Sequence, residues 1–168
     1  TGESNTATGV STLFFNTIGY NNTASGSASL YYNTIGSNNT ATGKTALYSN
    51  NTGGYNTATG FQSLMYNTSG SNNTAAGINS LYTNTIGYHN VATGASALFA
   101  NIQGNQNTSV GMYSMLNSTT GNNNTANGFE ALKSNISGSN NTALGYGADV
   151  ATGNLTNATA IGNGAIVT

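Results

Sequence analysis

Residues 40–51 read TATGKTALYSNN and residues 74–85 read TAAGINSLYTNT. The shared skeleton, Thr-Ala-x-Gly followed by Leu-Tyr and then Asn, returns along the chain at a fixed interval while the residues between it drift. Gly9, Gly26, Gly43, Gly60, Gly77, Gly94, Gly111, Gly128, Gly145 and Gly162 are each 17 residues apart. A second glycine series keeps the same step, at Gly2, Gly19, Gly36, Gly53, Gly70, Gly87, Gly104, Gly121 and Gly138. An asparagine series (Asn5, Asn22, Asn39 and onward to Asn141) precedes a threonine series broken only by Val91. The large apolar position is Leu13, Leu30, Leu47, Leu64, Leu81, Leu98, Met115 and Leu132. No insertion or deletion disturbs this register.

Seventeen residues are too few for a helical-pair repeat of about 33 or a propeller blade of about 40. They suffice for one turn of a β-solenoid, two short strands joined by two turns. The sequence therefore predicts an all-β fold, a parallel β-solenoid (β-roll) of about ten 17-residue coils. In Asn-Thr-Ala-x-Gly the strand alternation points the small Ala inward and the Thr outward. The segment carrying Leu and Tyr or Phe supplies the bulky wall, with the leucines as repeat core. The glycines mark corners, where positive φ or close backbone approach excludes a side chain. Asn before Thr suits a turn, since its amide bonds local backbone and tolerates left-handed geometry.

The whole of residues 1–168 reads as a single repeat array, with units starting near Gly2, Gly19, Gly36, Gly53, Gly70, Gly87, Gly104, Gly121 and Gly138 and a divergent last unit at 155–168. Both ends fall within the beat and neither carries a polar capping unit, so a slice of a longer solenoid is expected. Ten coils at the strand spacing of about 4.8 Å give a rod roughly 48 Å long.

Composition follows from stacking. Charged residues make up 3% of the chain, against roughly 25% in an ordinary soluble domain. A charge at a repeated position would become a ladder of like charges, and Pro would remove a ladder hydrogen bond in every coil. Asn, Thr and Tyr stack on their own copies without penalty, and Asn ladders stabilise such packing. There is no Pro or Cys, and the net charge of −1 offers nothing to nucleic acid. No apolar run suggests membrane insertion. Regularly spaced Leu, Tyr and Phe argue against disorder.

Two segments carry a resemblance. TALGYGADV (142–150) and NATAIGNGAIV (157–167) resemble the head repeats of YadA-like trimeric autotransporter adhesins, although those repeats are shorter. Other units, such as NTATGFQSLMYNTSG (56–70), are similar to repeat arrays of bacterial surface proteins and phage tail-fibre proteins. The resemblance implies a left-handed β-roll, three chains side by side, an extracellular or cell-surface location, and a role as the shaft or head of a fibre or adhesin. It implies copies of the chain as partners, together with a host surface or matrix ligand.

Catalysis is not expected. Glu3, Glu130, Asp149, Lys44, Lys133 and His89 are spread over different coils, without a converging set or a metal-ligand spacing. Glu130 and Lys133 read as a surface pair, His89 as a solvated turn residue, and GNGAI as repeat rather than phosphate loop. No cofactor is expected. The triplets at Asn21, Asn38, Asn72 and Asn140 fit the N-x-S/T pattern, as chance dictates in a chain rich in Asn and Thr. Two surfaces remain. The aromatic column Phe14, Tyr31, Tyr48, Tyr82 and Phe99 reads first as an inter-chain seam and second as an adhesive, sugar-stacking stripe. Thr6 with Thr8, Thr23, Thr40 with Thr42, and Thr57 with Thr59 form outward rows of the kind found on ice-binding solenoids. The second row decays to Ser25, Ala76, Val110, Asn127, Leu144 and Ile161.

Overall fold

The computed structural model describes residues 2–168. The strands are β1 (Thr6–Thr8), β2 (Thr23–Ser25), β3 (Thr40–Thr42), β4 (Thr57–Thr59), β5 (Thr74–Ala76), β6 (Val91–Thr93), β7 (Thr108–Val110), β8 (Thr125–Asn127), β9 (Thr142–Leu144), β10 (Asp149–Val150), β11 (Thr159–Ile161) and β12 (Ile166–Val167). Ten of them, β1 to β9 and then β11, make one parallel sheet in chain order, each strand beside its own copy in the next coil. Thr23 pairs with Thr40 and Ala24 with Ala41, and the same one-coil step continues to Ala143 and Ala160. The fold is a parallel β-solenoid of about ten coils, 17 residues to the turn.

From β2 to β9, and in β11, the alternation works as the sequence predicts, whereas β1 in the first coil is exposed throughout. The flanking Thr positions face solvent and the central Ala is buried, from Ala24 through Ala126 and Ala143. Leu30, Leu47, Leu64, Leu81, Leu98, Met115 and Leu132 are fully buried beside the Ala column, while Leu13 in the first coil is partly buried. One continuous cluster of small and medium apolar side chains therefore threads the rod.

The Leu segment is not the second strand that the repeat suggests. Over most of the rod it is a run of turns in which left-handed residues alternate with residues of negative φ. Ala28 (φ 55) and Leu30 (φ 49) bracket Ser29, and the pattern recurs in each coil to Glu130 and Leu132. The N–H groups of the two left-handed residues point toward opposite neighbours, while the residue between them bonds within its own coil, as Ser29 N–H does to Gly26 O. Ala28 N–H donates to Val10 O at 2.8 Å in one adjoining coil, and Leu30 N–H to Ala46 O at 3.0 Å in the other. Inter-coil hydrogen bonding thus continues around the turn. A left-handed non-Gly residue costs about 1–3 kcal/mol, which the about 1.5–3 kcal/mol from burying a Leu side chain offsets. A second strand does appear at β10 and β12, where Asp149 occupies the Leu position and Gly147 the preceding left-handed one. These lie in the two segments that resemble adhesin head repeats.

The corner glycines divide into two kinds. The series Gly9, Gly26, Gly43, Gly60, Gly77, Gly94, Gly111, Gly128 and Gly145 has φ between 125° and 142°, a region closed to side chains. A Cβ on Gly60 would also meet Gly77 O at 2.5 Å. The second series needs glycine for space alone, since a Cβ on Gly53 would run into Gly70 O and the Asn50 side chain. Gly147, by contrast, has φ 59 and nothing within 4 Å of its added Cβ, in a column where Ala28, Thr45 and Glu130 adopt the same conformation. Gly60→Ala is expected to destabilise by at least about 2 kcal/mol, and Gly147→Ala by no more than about 1 kcal/mol. Chemical denaturation of the two variants checks the difference.

Candidate functional site

The most organised chemistry in the molecule is inside it. Asn22, Asn39, Asn56, Asn73, Asn90, Asn107, Asn124 and Asn141 are all buried. This corrects the turn role read from the sequence. The left-handed turn residue is the one before, such as Asn21, Asn38 or Asn72, with φ 55 to 60. The buried column forms a strand-side ladder. Asn39 N–H donates to Asn22 Oδ1 at 3.0 Å, and Asn39 Nδ2–H to Gly53 O at 2.9 Å. The backbone rung repeats at Asn56, Asn73, Asn90, Asn107, Asn124 and Asn141.

A second column, three residues after the Leu and buried from Asn33 onward, forms a Leu-side ladder at Asn16, Asn33, Asn50, Asn67, Asn84 and Asn101. Asn50 Nδ2 donates one hydrogen to Asn33 Oδ1 at 2.8 Å and the other to Gly53 O at 2.9 Å. Asn33, Asn67, Asn84 and Asn101 repeat the inter-coil bond at 2.7–2.8 Å. Both ladders meet on one oxygen, so Gly53 O uses its two lone pairs on Asn39 and Asn50. The sequence reading passed over this column, although it shares the 17-residue spacing. A polar residue beside a run of Leu and Tyr reads as surface until its carbonyl partner is known.

On the outside, the predicted aromatic column stands half-exposed on one flank. Phe14, Tyr31 and Tyr48 stack in parallel at 5.4 and 5.3 Å, and Tyr82 stacks on Phe99 at 5.0 Å, with Met65 between the two groups. A neighbouring column, Phe15 and Tyr32 at 5.4 Å and then Tyr66 beyond Ser49, meets the first edge to face. Such pairs contribute about 0.5–1.5 kcal/mol beyond burial. Partial burial and then a hydrogen bond with the Tyr32 side chain hold the Tyr48 phenol above the ordinary tyrosine value. At Tyr82 the Tyr66 side chain does most of this and burial adds to it. Beside the columns runs a shallow groove of about 520 Å³ between Phe15, Tyr32 and Thr34, continuing past Ser49 as a second depression of about 420 Å³ toward Ile102.

The Thr rows occupy the face of the main sheet. Thr6, Thr8, Thr23, Thr40, Thr42, Thr57 and Thr59 are all exposed. The charged groups do not converge on one site. Glu130 pairs with Lys133 at 2.6 Å, Asp149 accepts from Ser134 N–H at 3.0 Å, and His89 lies exposed in a left-handed turn against Tyr88. Among the described residues there is no group of three metal-ligating side chains, and no helix is long and apolar enough to cross a membrane.

Comparison with protein-family models, with curated proteins and with solved structures found no match for this chain.

The ladders separate two adjacent asparagines. Asn73→Ala removes Asn73 Oδ1, the acceptor for Asn90 N–H at 3.0 Å, and should cost at least about 2 kcal/mol. Asn72→Ala, exposed in the preceding turn, should cost no more than about 1 kcal/mol. Equilibrium unfolding of the two variants measures the contrast.

Proposed function

We propose that this chain is a structural element of an extracellular fibre, a rigid shaft or adhesin head whose work is length, stiffness and resistance to unfolding. The observation that carries this reading is the pair of buried carboxamide ladders. They join coil to coil along most of the rod and leave little scope for sliding or bending at any one level. Copies of the chain are its partners, associating side by side through the aromatic flank, in threes as the resemblance to trimeric adhesin heads implies. Three features favour association. The flank is half-exposed, its rings are already stacked, and the surface carries almost no charge to oppose packing. The same shaft would serve a surface adhesin or a phage tail fibre, and a host surface or matrix ligand would meet it along this flank.

Light scattering after size-exclusion chromatography tests the reading. A mass near three times 16.9 kDa, or a larger polymer, is expected. Joint replacement of Tyr31, Tyr48 and Tyr82 by Ala should then dissociate the assembly and lower its melting temperature. Unchanged mass with lost attachment to a matrix-coated surface would make the flank adhesive instead.

A second reading, ice binding, is favoured by one observation. Nine Thr and one Val, from Thr6 to Thr159, form an outward row on a single ten-stranded sheet. It predicts thermal hysteresis and faceted ice crystals, and loss of both on Thr40→Lys with Thr57→Lys. A freezing point equal to the melting point rejects it.

A further inference from the structure

The Leu-side ladder breaks at one rung. Position 118, seventeen residues after Asn101 and seventeen before Asn135, is Ser. Among the described residues, Asn101 Oδ1 and Ser118 Oγ are both buried without a hydrogen-bond partner. The carbonyl of the same coil is affected too. Gly104 O accepts from Asn90 at 2.8 Å and Asn101 at 3.0 Å, whereas Gly121 O accepts only the Asn107 amide, at 2.8 Å.

We propose that the rod binds one structural water at this rung, in the place of the missing carboxamide nitrogen, held by Asn101 Oδ1, Gly121 O and Ser118 Oγ. In an intact rung the Nδ2 group donates to two acceptors, the preceding Oδ1 and the glycine carbonyl of its own coil. At Ser118 both acceptors keep their places and the donor is gone. A water has two hydrogens for them and a lone pair for the Ser118 hydroxyl, giving the three bonds typical of buried water. The size agrees, because Ser replaces a carboxamide of three heavy atoms by a single oxygen, and a water restores one. A monovalent cation fits the chemistry less well. Its three oxygens would all be neutral, and an uncompensated charge is costly to bury. The other polar substitution in this coil needs no such guest, since Ser109, in the Ala column, donates to Ser114 O at 2.9 Å.

The test compares wild type with Ser118→Asn and Ser118→Ala by high-resolution crystallography and thermal unfolding. In wild type a solvent peak is expected within hydrogen-bonding distance of Asn101 Oδ1, Gly121 O and Ser118 Oγ, with a water-to-amide nuclear Overhauser effect at the same place in solution. Ser118→Asn should displace the water, close the ladder and raise Tm by about 2–4 °C. Ser118→Ala should keep the water on two bonds and lower Tm. Direct contact between Ser118 Oγ and Asn101 Oδ1 with no solvent between them would overturn the proposal. So would a wild-type Tm that falls when sodium and potassium are replaced by choline, which would assign the site to a cation.

Discussion

One carbonyl oxygen per coil organises this rod. In the coil around Gly53 it receives an amide from the residue before the strand and another from the residue after the Leu turn, so two distant parts of the repeat converge on one point. The close approach of successive corners in the Gly19 to Gly138 series follows, because the oxygen must face inward and leaves no space for a Cβ. The exposure of the Thr rows and the aromatic flank follows as well. With Asn, Ala and Leu committed to the interior, those are the positions left to face solvent.

The arrangement also explains how so slender a body is held together without a large apolar core. Burying each Leu does little more than offset the left-handed conformation it must adopt. Within a coil its buried companions are Ala, Ser and Asn, and the bulky groups it meets are the Leu of the adjoining coils. The net preference for the coiled state therefore rests heavily on hydrogen bonds that are costly to leave unmade once buried. Along most of the rod each amide is fixed at both ends, in its own coil and in the one before it. A polar interior of this kind demands register more strictly than an oily one. A one-residue slip would leave a whole column of amides facing nothing.

Much of the fold was legible in the sequence because the stacking step is written into it. The 17-residue beat, the inward Ala between outward Thr, and the corner glycines need only strand geometry and the absence of a Cβ. The path of the Leu segment was not legible. A bulky residue such as Leu30 disfavours φ near 50°, and its burial, together with the hydrogen bonds that Ala28 and Leu30 send to the two adjoining coils, holds it there. The inward Asn was not legible either. Local chemistry makes Asn39 a good turn residue, and what buries it is an acceptor 14 residues ahead together with its copy 17 residues behind. The Asn16 to Asn101 column lay in plain register and was missed because its role depends on the first ladder. The aromatic flank was visible as a column of residue types. Its herringbone stacking depends on the coil spacing and on Phe15, Tyr32 and Tyr66 standing one residue further on.

The ladders also have a sense of direction. Every inter-coil carboxamide bond on the Leu side runs from the Nδ2 of the later coil to the Oδ1 of the earlier one, and the strand-side rungs point the same way. A cut across the rod at any such level exposes a face of amide hydrogens on one piece and a face of amide oxygens on the other. Two rods can meet end to end with these groups satisfied only head to tail. A fibre built by such stacking is a vector, with two chemically different ends.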